Sequence, residues 1–264
     1  MKKTLLALMT LALAAPNYAQ DLTAVSPEGV EIYFMILDEN EMTCATLEEE
    51  AIDKSTVGKV TIPDEVEGYA VVGIGGYSFE DCEDVTEVVL PHYLQWIGER
   101  AFWGCGIEQV TIGDIDGSYT EVPCELYDQA FGKCPNLTTI TLGQNVSFDG
   151  SGLFTNCPSL EEVYSYITEP SGIGNIFPFS NEGLTLYVPS GTKELYQNTA
   201  GWSNFPNIVE MGIATGIKDV NAAAAVATRY HNLAGMTSDK SFPGINLVTT
   251  TYSDGTTVTT KVIK

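Results

Sequence analysis

Hydrophobic residues along the middle of the chain fall at positions i, i+3 and i+5 of short segments that recur. Val85, Val88 and Leu90 are one set; Ile107, Val110 and Ile112 are the next; Leu137, Ile140 and Leu142 follow. Upstream, Val57, Val60 and Ile62 share the spacing. Downstream, Leu160 and Val163 keep it, with Ser165 at the third place. In the segment after that, Leu186 and Val188 hold the offsets but Gly183 opens it. The i+3 to i+5 pair has strand period, with the residue between facing the other way. Each segment therefore predicts one short strand. Pro63, Pro91 and Pro189 close three of them, where a residue without an N–H fits a strand end.

A turn motif precedes the strands. Phe-x-x-Cys occurs four times, as SFEDC, AFWGC, AFGKC and LFTNC. It places Phe79 with Cys82, Phe102 with Cys105, Phe131 with Cys134 and Phe154 with Cys157, at intervals of 23, 29 and 23 residues. Self-similarity at this period marks a solenoid with one supersecondary unit per repeat. The fold class is thus a repeat solenoid, mainly β, with one short strand per repeat and a small C-terminal β module. A cysteine at a fixed phase beside a fixed Phe is most simply a rung of a buried ladder, a small hydrophobe with a weak S–H donor. Disulfides between neighbouring rungs, and a catalytic or metal-binding thiol, are the other readings. Cys44 and Cys124 fall out of phase, and could pair only if the N-terminal cap reached the loop before residue 126.

The segments IGGYSFEDC, IGERAFWGC and YDQAFGKCPNLTTITL resemble the BspA-like leucine-rich repeat, a bacterial surface class, over residues ~55–190. LTTITLGQNV also follows the pattern L-x-x-L-x-L-x-x-N. Residues 184–211 resemble the ends of such arrays, with a short helix around Lys193–Gln197 and with Trp202 and Phe205 shielding the last repeat. The tail, with Tyr230, Asn232, Leu233, Gly235, Pro243, Gly244 and Ile245 in pattern, resembles C-terminal modules of exported Bacteroidetes proteins, some of which are type IX secretion sorting signals. Its SDGT predicts a hairpin turn. The organisation read from sequence is a signal peptide at 1–19, an N-terminal cap at 20–54, the array at 55–190, its C-terminal cap at 191–212, a linker at 213–229 and a small β module at 230–264.

Charge and leader narrow the setting. MKK followed by TLLALMTLALAA reads as a secretory leader cleaved after Ala19, too short to cross a bilayer comfortably. No later apolar run reaches spanning length, so the protein is expected to be exported, at the cell surface or outside. The formal charge is -23, which argues against nucleic acid, whose phosphates demand Lys and Arg.

Little in the chain carries chemistry. The two histidines, His92 and His231, sit far apart, and no triad, Cys–His pair or zinc spacing can be built around them. GIGG at 73–76 lacks a full phosphate-loop fingerprint and reads as a repeat turn. Asp114 and Asp116, in GDIDGS, are the residues that could hold a calcium ion, although the distal Glu of a full loop is out of register. Thirty-five acids include no pair that stands out for glycoside hydrolysis. The expectation is no catalytic residue, no enzyme activity and no cofactor.

A shared strand face is where a ligand would bind. Its outward residues include Gln109, Thr111, Thr139, Thr141, Glu162, Tyr164 and Tyr187. Thr suits strands for its own sake, whereas Tyr brings apolar area with a hydroxyl. The family resemblance implies adhesion. The expected partner is a host matrix or bacterial surface protein, with glycan capture for nutrient uptake as the alternative and a glycoside hydrolase behind it.

Overall fold

The computed structural model describes residues 21–115, 122–211, 225–232, 237–238, 240, 245–252 and 257–263. The chain divides into two compact units, one running to Val209 and the other starting at Glu210.

The first unit is a coil of repeats between two sheets. The segments with the i+3, i+5 pattern form one sheet. Gly58–Thr61, Val85–Val89, Gln109–Ile112, Thr139–Leu142, Glu162–Ser165 and Thr185–Val188 lie side by side in chain order, with Asn207–Glu210 at the end. These coil strands pair in parallel. Each inner strand buries the predicted positions, including Val88, Val110, Ile140, Val163 and Leu186. A second sheet, not marked by the pattern, runs through the coils as well. Tyr69–Ile74, Trp96–Ile97, Cys124–Leu126 and Val146–Phe148 pair in parallel. A coil thus contributes two strands where the pattern predicts one. The second strand is only two or three residues long in three of the four, too short to show a period.

Between the sheets lies one hydrophobic core. Phe79, Phe102, Phe131 and Phe154 stack face to face with centroids 5.0, 5.0 and 5.5 Å apart, and Phe177 adds a fifth ring at 5.0 Å. The turns that carry the rings are laddered too. The N–H groups of Phe79, Phe102, Phe131 and Phe154 donate to Ala101, Ala130, Leu153 and Ile176 of the next coil at 2.8–2.9 Å. The turn bends through left-handed backbone two residues before each of these four rings, at Tyr77, Arg100, Gln129 and Gly152, and two residues after it, at Asp81, Gly104, Lys133 and Asn156.

Both ends of the array are covered. Leu22–Val25 and Glu31–Asp38 pair antiparallel, and Glu31–Asp38 pairs antiparallel with Thr43–Thr46, which joins the second sheet alongside Tyr69–Ile74. Ile32 and Phe34 are fully buried there. At the other end a helix, Lys193–Asn198, and a 3-10 turn, Trp202–Asn204, bury Tyr196, Trp202 and Phe205 in the same core.

Four positions depart from the predicted core, one of them Leu90, which is half-buried at the core's edge. Val57 is 73% exposed, because Gly58 turns the chain there with φ 83°. Leu184, next to Gly183, supplies the buried residue at the start of its segment. Ser165 is buried at a hydrophobic place because its hydroxyl hydrogen-bonds that of Tyr196 at 2.6 Å, which satisfies both groups.

The second unit is a four-stranded antiparallel sheet in the order Thr237–Ser238, Ala225–Asn232, Ile245–Tyr252, Thr257–Ile263. Its first strand begins inside the stretch read from sequence as linker. The sequence boundary at 230 is therefore too late; the Ala-rich start gave no strand period. The SDGT segment, 253–256, lies outside the described residues, between two strands that pair antiparallel.

Candidate functional site

The outward face of the first sheet is built by register. Parallel pairing without a slip puts Gln109, Thr139, Glu162 and Thr185 in one row, and Thr111, Thr141, Tyr164 and Tyr187 in the row beside it. Tyr164 and Tyr187 are direct neighbours on adjacent strands. Their rings stack with centroids 4.5 Å apart and planes 9° from parallel. Both hydroxyls donate to one carboxylate: Tyr164 to Glu162 Oε2 at 3.2 Å and Tyr187 to Glu162 Oε1 at 3.3 Å. Two rings and an anion are thus held as one rigid patch. Burial, reinforced by the charge of Glu162, pushes the Tyr164 phenol up to about 12, and the same causes raise Tyr187. Both tyrosines therefore stay neutral donors at physiological pH.

The remaining face residues spread away from that patch. Thr139 and Thr141 are half-buried on the next strand. Gln109 and Thr111 are exposed one strand further on, about 10 Å from the Glu162–Ser165 strand at ordinary sheet spacing. Gln109 and Thr111 instead border a cleft of about 440 Å³ lined also by Leu90, Pro91, His92 and Ile115. At the far end Lys59 and Glu87 pair across strands at 2.8 Å.

The cysteines of the ladder are buried free thiols. Cys134 and Cys157 donate to the carbonyls of Phe102 and Phe131 in the preceding coil at 3.1 Å, and Cys105 lies 3.9 Å from that of Val85. Burial pushes Cys82 up to about 11 and Cys105 up to about 12, which makes them poor nucleophiles. Hydrogen bonding with Cys157, and then burial, hold Cys134 well above its ordinary range. Cys44 and Cys124 are free as well, and sit on strands three places apart in the second sheet. That is about 14 Å at sheet spacing, beyond the reach of a disulfide. The pairing left open from the sequence does not occur.

Asp114 donates its backbone N–H to Asn145 at 2.7 Å; Asp116 lies outside the described residues. Among the described residues no three His, Cys, Asp or Glu side chains converge as a metal site. The His92 backbone N–H donates to the Asp64 carboxylate at 2.7 Å, and the ring meets Tyr93 edge-on. His231 lies in the strand Ala225–Asn232 of the other unit.

Two features escaped the sequence reading. Phe177 follows Phe154 by 23 residues, the dominant interval, but Ser180 stands where the cysteine would be, so a search for Phe-x-x-Cys passes over it. The outward face of the second sheet was invisible because its strands were.

Parallel strands stacked at a 23- to 29-residue period around a Phe ladder define a leucine-rich-repeat solenoid with two outward sheet faces. The pattern of the BspA type leucine rich repeat region matches residues 45–176 in six copies, half of the chain, and the chain belongs to that family. Among solved structures, the chain is similar to a leucine rich repeat protein of T. pallidum, at 17% identity over 60% of this chain and 78% of that one, with a TM-score of 0.45. It is also similar to the pneumococcal vaccine antigen PcpA, at 20% identity over 73% of this chain and 48% of that one, with a TM-score of 0.47. A leucine-rich repeat protein from Bacteroides ovatus is 18% identical over 67% of this chain and 57% of that one, with a TM-score of 0.33. No curated protein matches the chain. No helix among the described residues is long and apolar enough to cross a membrane.

Proposed function

We propose that the protein is a non-enzymatic interaction protein, exported to the cell surface or beyond by the leader at 1–19, that binds a protein partner through the strand face of its repeats. The observation that carries this reading is the Tyr164–Tyr187 stack fixed by Glu162 on the outward sheet face, where all three are half-buried. Tyrosines already ordered in the free protein lose little side-chain entropy on binding and offer large contact area. Family membership supports a repeat surface used for contact. The partner is a host matrix or bacterial surface protein. The small C-terminal sheet is a sorting or spacing module.

The test is binding of the purified protein to arrays of matrix proteins and glycans, alongside the Tyr164→Ala/Tyr187→Ala double variant. A protein partner whose affinity falls about tenfold or more in the variant is the expected result, the loss typical of aromatic anchors at an interface. The same rings beside a carboxylate also suit sugar stacking, so a glycan captured in their place would assign the patch to nutrient uptake. Retained binding in the double variant would remove this face from the function.

A further inference from the structure

The second sheet, which the sequence pattern did not reveal, carries a groove on its outward side. The groove has a volume of about 600 Å³ and crosses several coils. Three aromatic side chains line it, Tyr77, Trp96 and Tyr127, all half-buried. Glycines make its floor. A Cβ at Gly98 would stand 2.7 Å from the backbone of Gly76, so the coils close up there and leave the rings standing above them. Trp96 lies across Gly73, its cross-strand neighbour, where any Cβ would collide with the indole. The platform is therefore fixed before any ligand arrives.

Charge decides what would lie on it. Glu99, Asp128 and Asp149 line the same groove, all exposed, and no Lys or Arg lines it. The two tyrosine hydroxyls donate to carboxylates, Tyr77 to Glu99 and Tyr127 to Glu125, both at 2.8 Å, which leaves their ring faces as the contact surface. The carboxylates do not converge in threes as metal ligands among the described residues. They come from successive coils, each following a strand of the second sheet (Trp96–Ile97, Cys124–Leu126 and Val146–Phe148), as a row of separate cationic groups would require. A guanidinium or ammonium gains from an aromatic face and from a nearby carboxylate together, and Arg does both best. The protein's own charge of -23 disfavours a second copy as occupant.

We propose that this groove binds a basic peptide segment, its Arg or Lys side chains stacking on Trp96, Tyr77 and Tyr127 and pairing with Glu99, Asp128 and Asp149. The site is independent of the Tyr164–Tyr187 patch, since the two lie on the outward faces of different sheets.

The experiment is calorimetric titration of the purified protein with an acetylated, amidated tetra-arginine peptide at low salt. Attraction to an acidic protein is expected anywhere on its surface, so the deciding variants keep the net charge constant. Trp96→Ala and Tyr127→Ala should each weaken binding about fivefold, the range of a cation–π contact. Tyr164→Ala/Tyr187→Ala should leave it unchanged. A second comparison holds even if Trp96→Ala fails to fold: Glu99→Gln/Asp149→Asn should weaken binding more than Glu161→Gln/Glu182→Gln, which removes the same charge from sites elsewhere. Folded aromatic variants that bind as wild type would overturn the proposal. So would equal losses from the two charge pairs, or a groove that takes a neutral oligosaccharide and not the peptide.

Discussion

A thiol at the core phase of four of the turns does two things at once. It fills a small space beside a stacked ring, and in two coils it reaches a backbone carbonyl of the coil before. Burial keeps Cys44, Cys82, Cys105 and Cys124 protonated, which gives a pH dependence with a definite sign. Cys44 and Cys82 are pushed up to about 11, and Cys105 and Cys124 up to about 12, whereas unfolded thiols ionise near 8.5. Their stabilisation is fully present below about pH 8.5 and is lost as pH rises towards the folded values, at about 1.4 kcal/mol per pH unit for each thiol ionised only in the unfolded chain. Denaturant melts between pH 8 and 11 should show a falling stability, and the fall should flatten in Cys105→Ala. A thiol-specific reagent should react slowly with the native protein and with all six cysteines once it is unfolded. A fast reaction of the native protein would contradict the buried ladder.

At the scale of an element, the array depends on how its last coil is closed. Trp202 is fully buried, meets Phe148, Phe177, Tyr196 and Phe205, and donates its indole N–H to the Ser171 carbonyl at 2.9 Å. Tyr196 donates to the Ile167 carbonyl at 2.8 Å as well as meeting Ser165. Trp202→Ala should cost about 3–5 kcal/mol, the usual range for a large buried aromatic, and should expose the rings of the final coils. Because repeats hold one another chiefly through nearest neighbours, the loss should spread inward from that end. Hydrogen exchange would show it: amides of Thr185–Val188 should lose protection before those of Val85–Val89. Uniform loss along the array would mean that the coils melt as one unit. The helix and aromatic pair of this cap were legible in the sequence. The second strand of each coil was not, since two or three residues carry no measurable period.

Across the whole molecule, charge sets the balance. Thirty-five acids against 12 bases leave -23, and the described residues contain one cross-strand Lys–Glu bridge, Lys59 with Glu87. Self-repulsion of this size destabilises the compact state and is screened by salt, with a Debye length of about 10 Å at 0.1 M. The melting temperature should therefore rise by a few degrees (about 2–4 °C for each kcal/mol of relief) as sodium chloride is raised from about 0.02 to 0.5 M. A fall over the same range would show that attractive pairs outweigh repulsion. The same field should speed the arrival of basic partners at low salt and lose that effect at high salt.

Sequence by itself determined the coil. A 23-residue recurrence of Phe and a period-2 alternation are local signals, and packing identical units leaves them one way to bury their hydrophobic faces. It also put Tyr164 and Tyr187 at one phase. Tertiary structure alone decided that their rings stack and share Glu162, because that depends on a parallel register without a slip. It alone assembled Tyr77, Trp96 and Tyr127 in one groove. These three residues occupy different phases of their repeats, so no periodicity links them. What brings them together is the close approach of coil backbones at glycines, a distance in space that the order of residues does not encode.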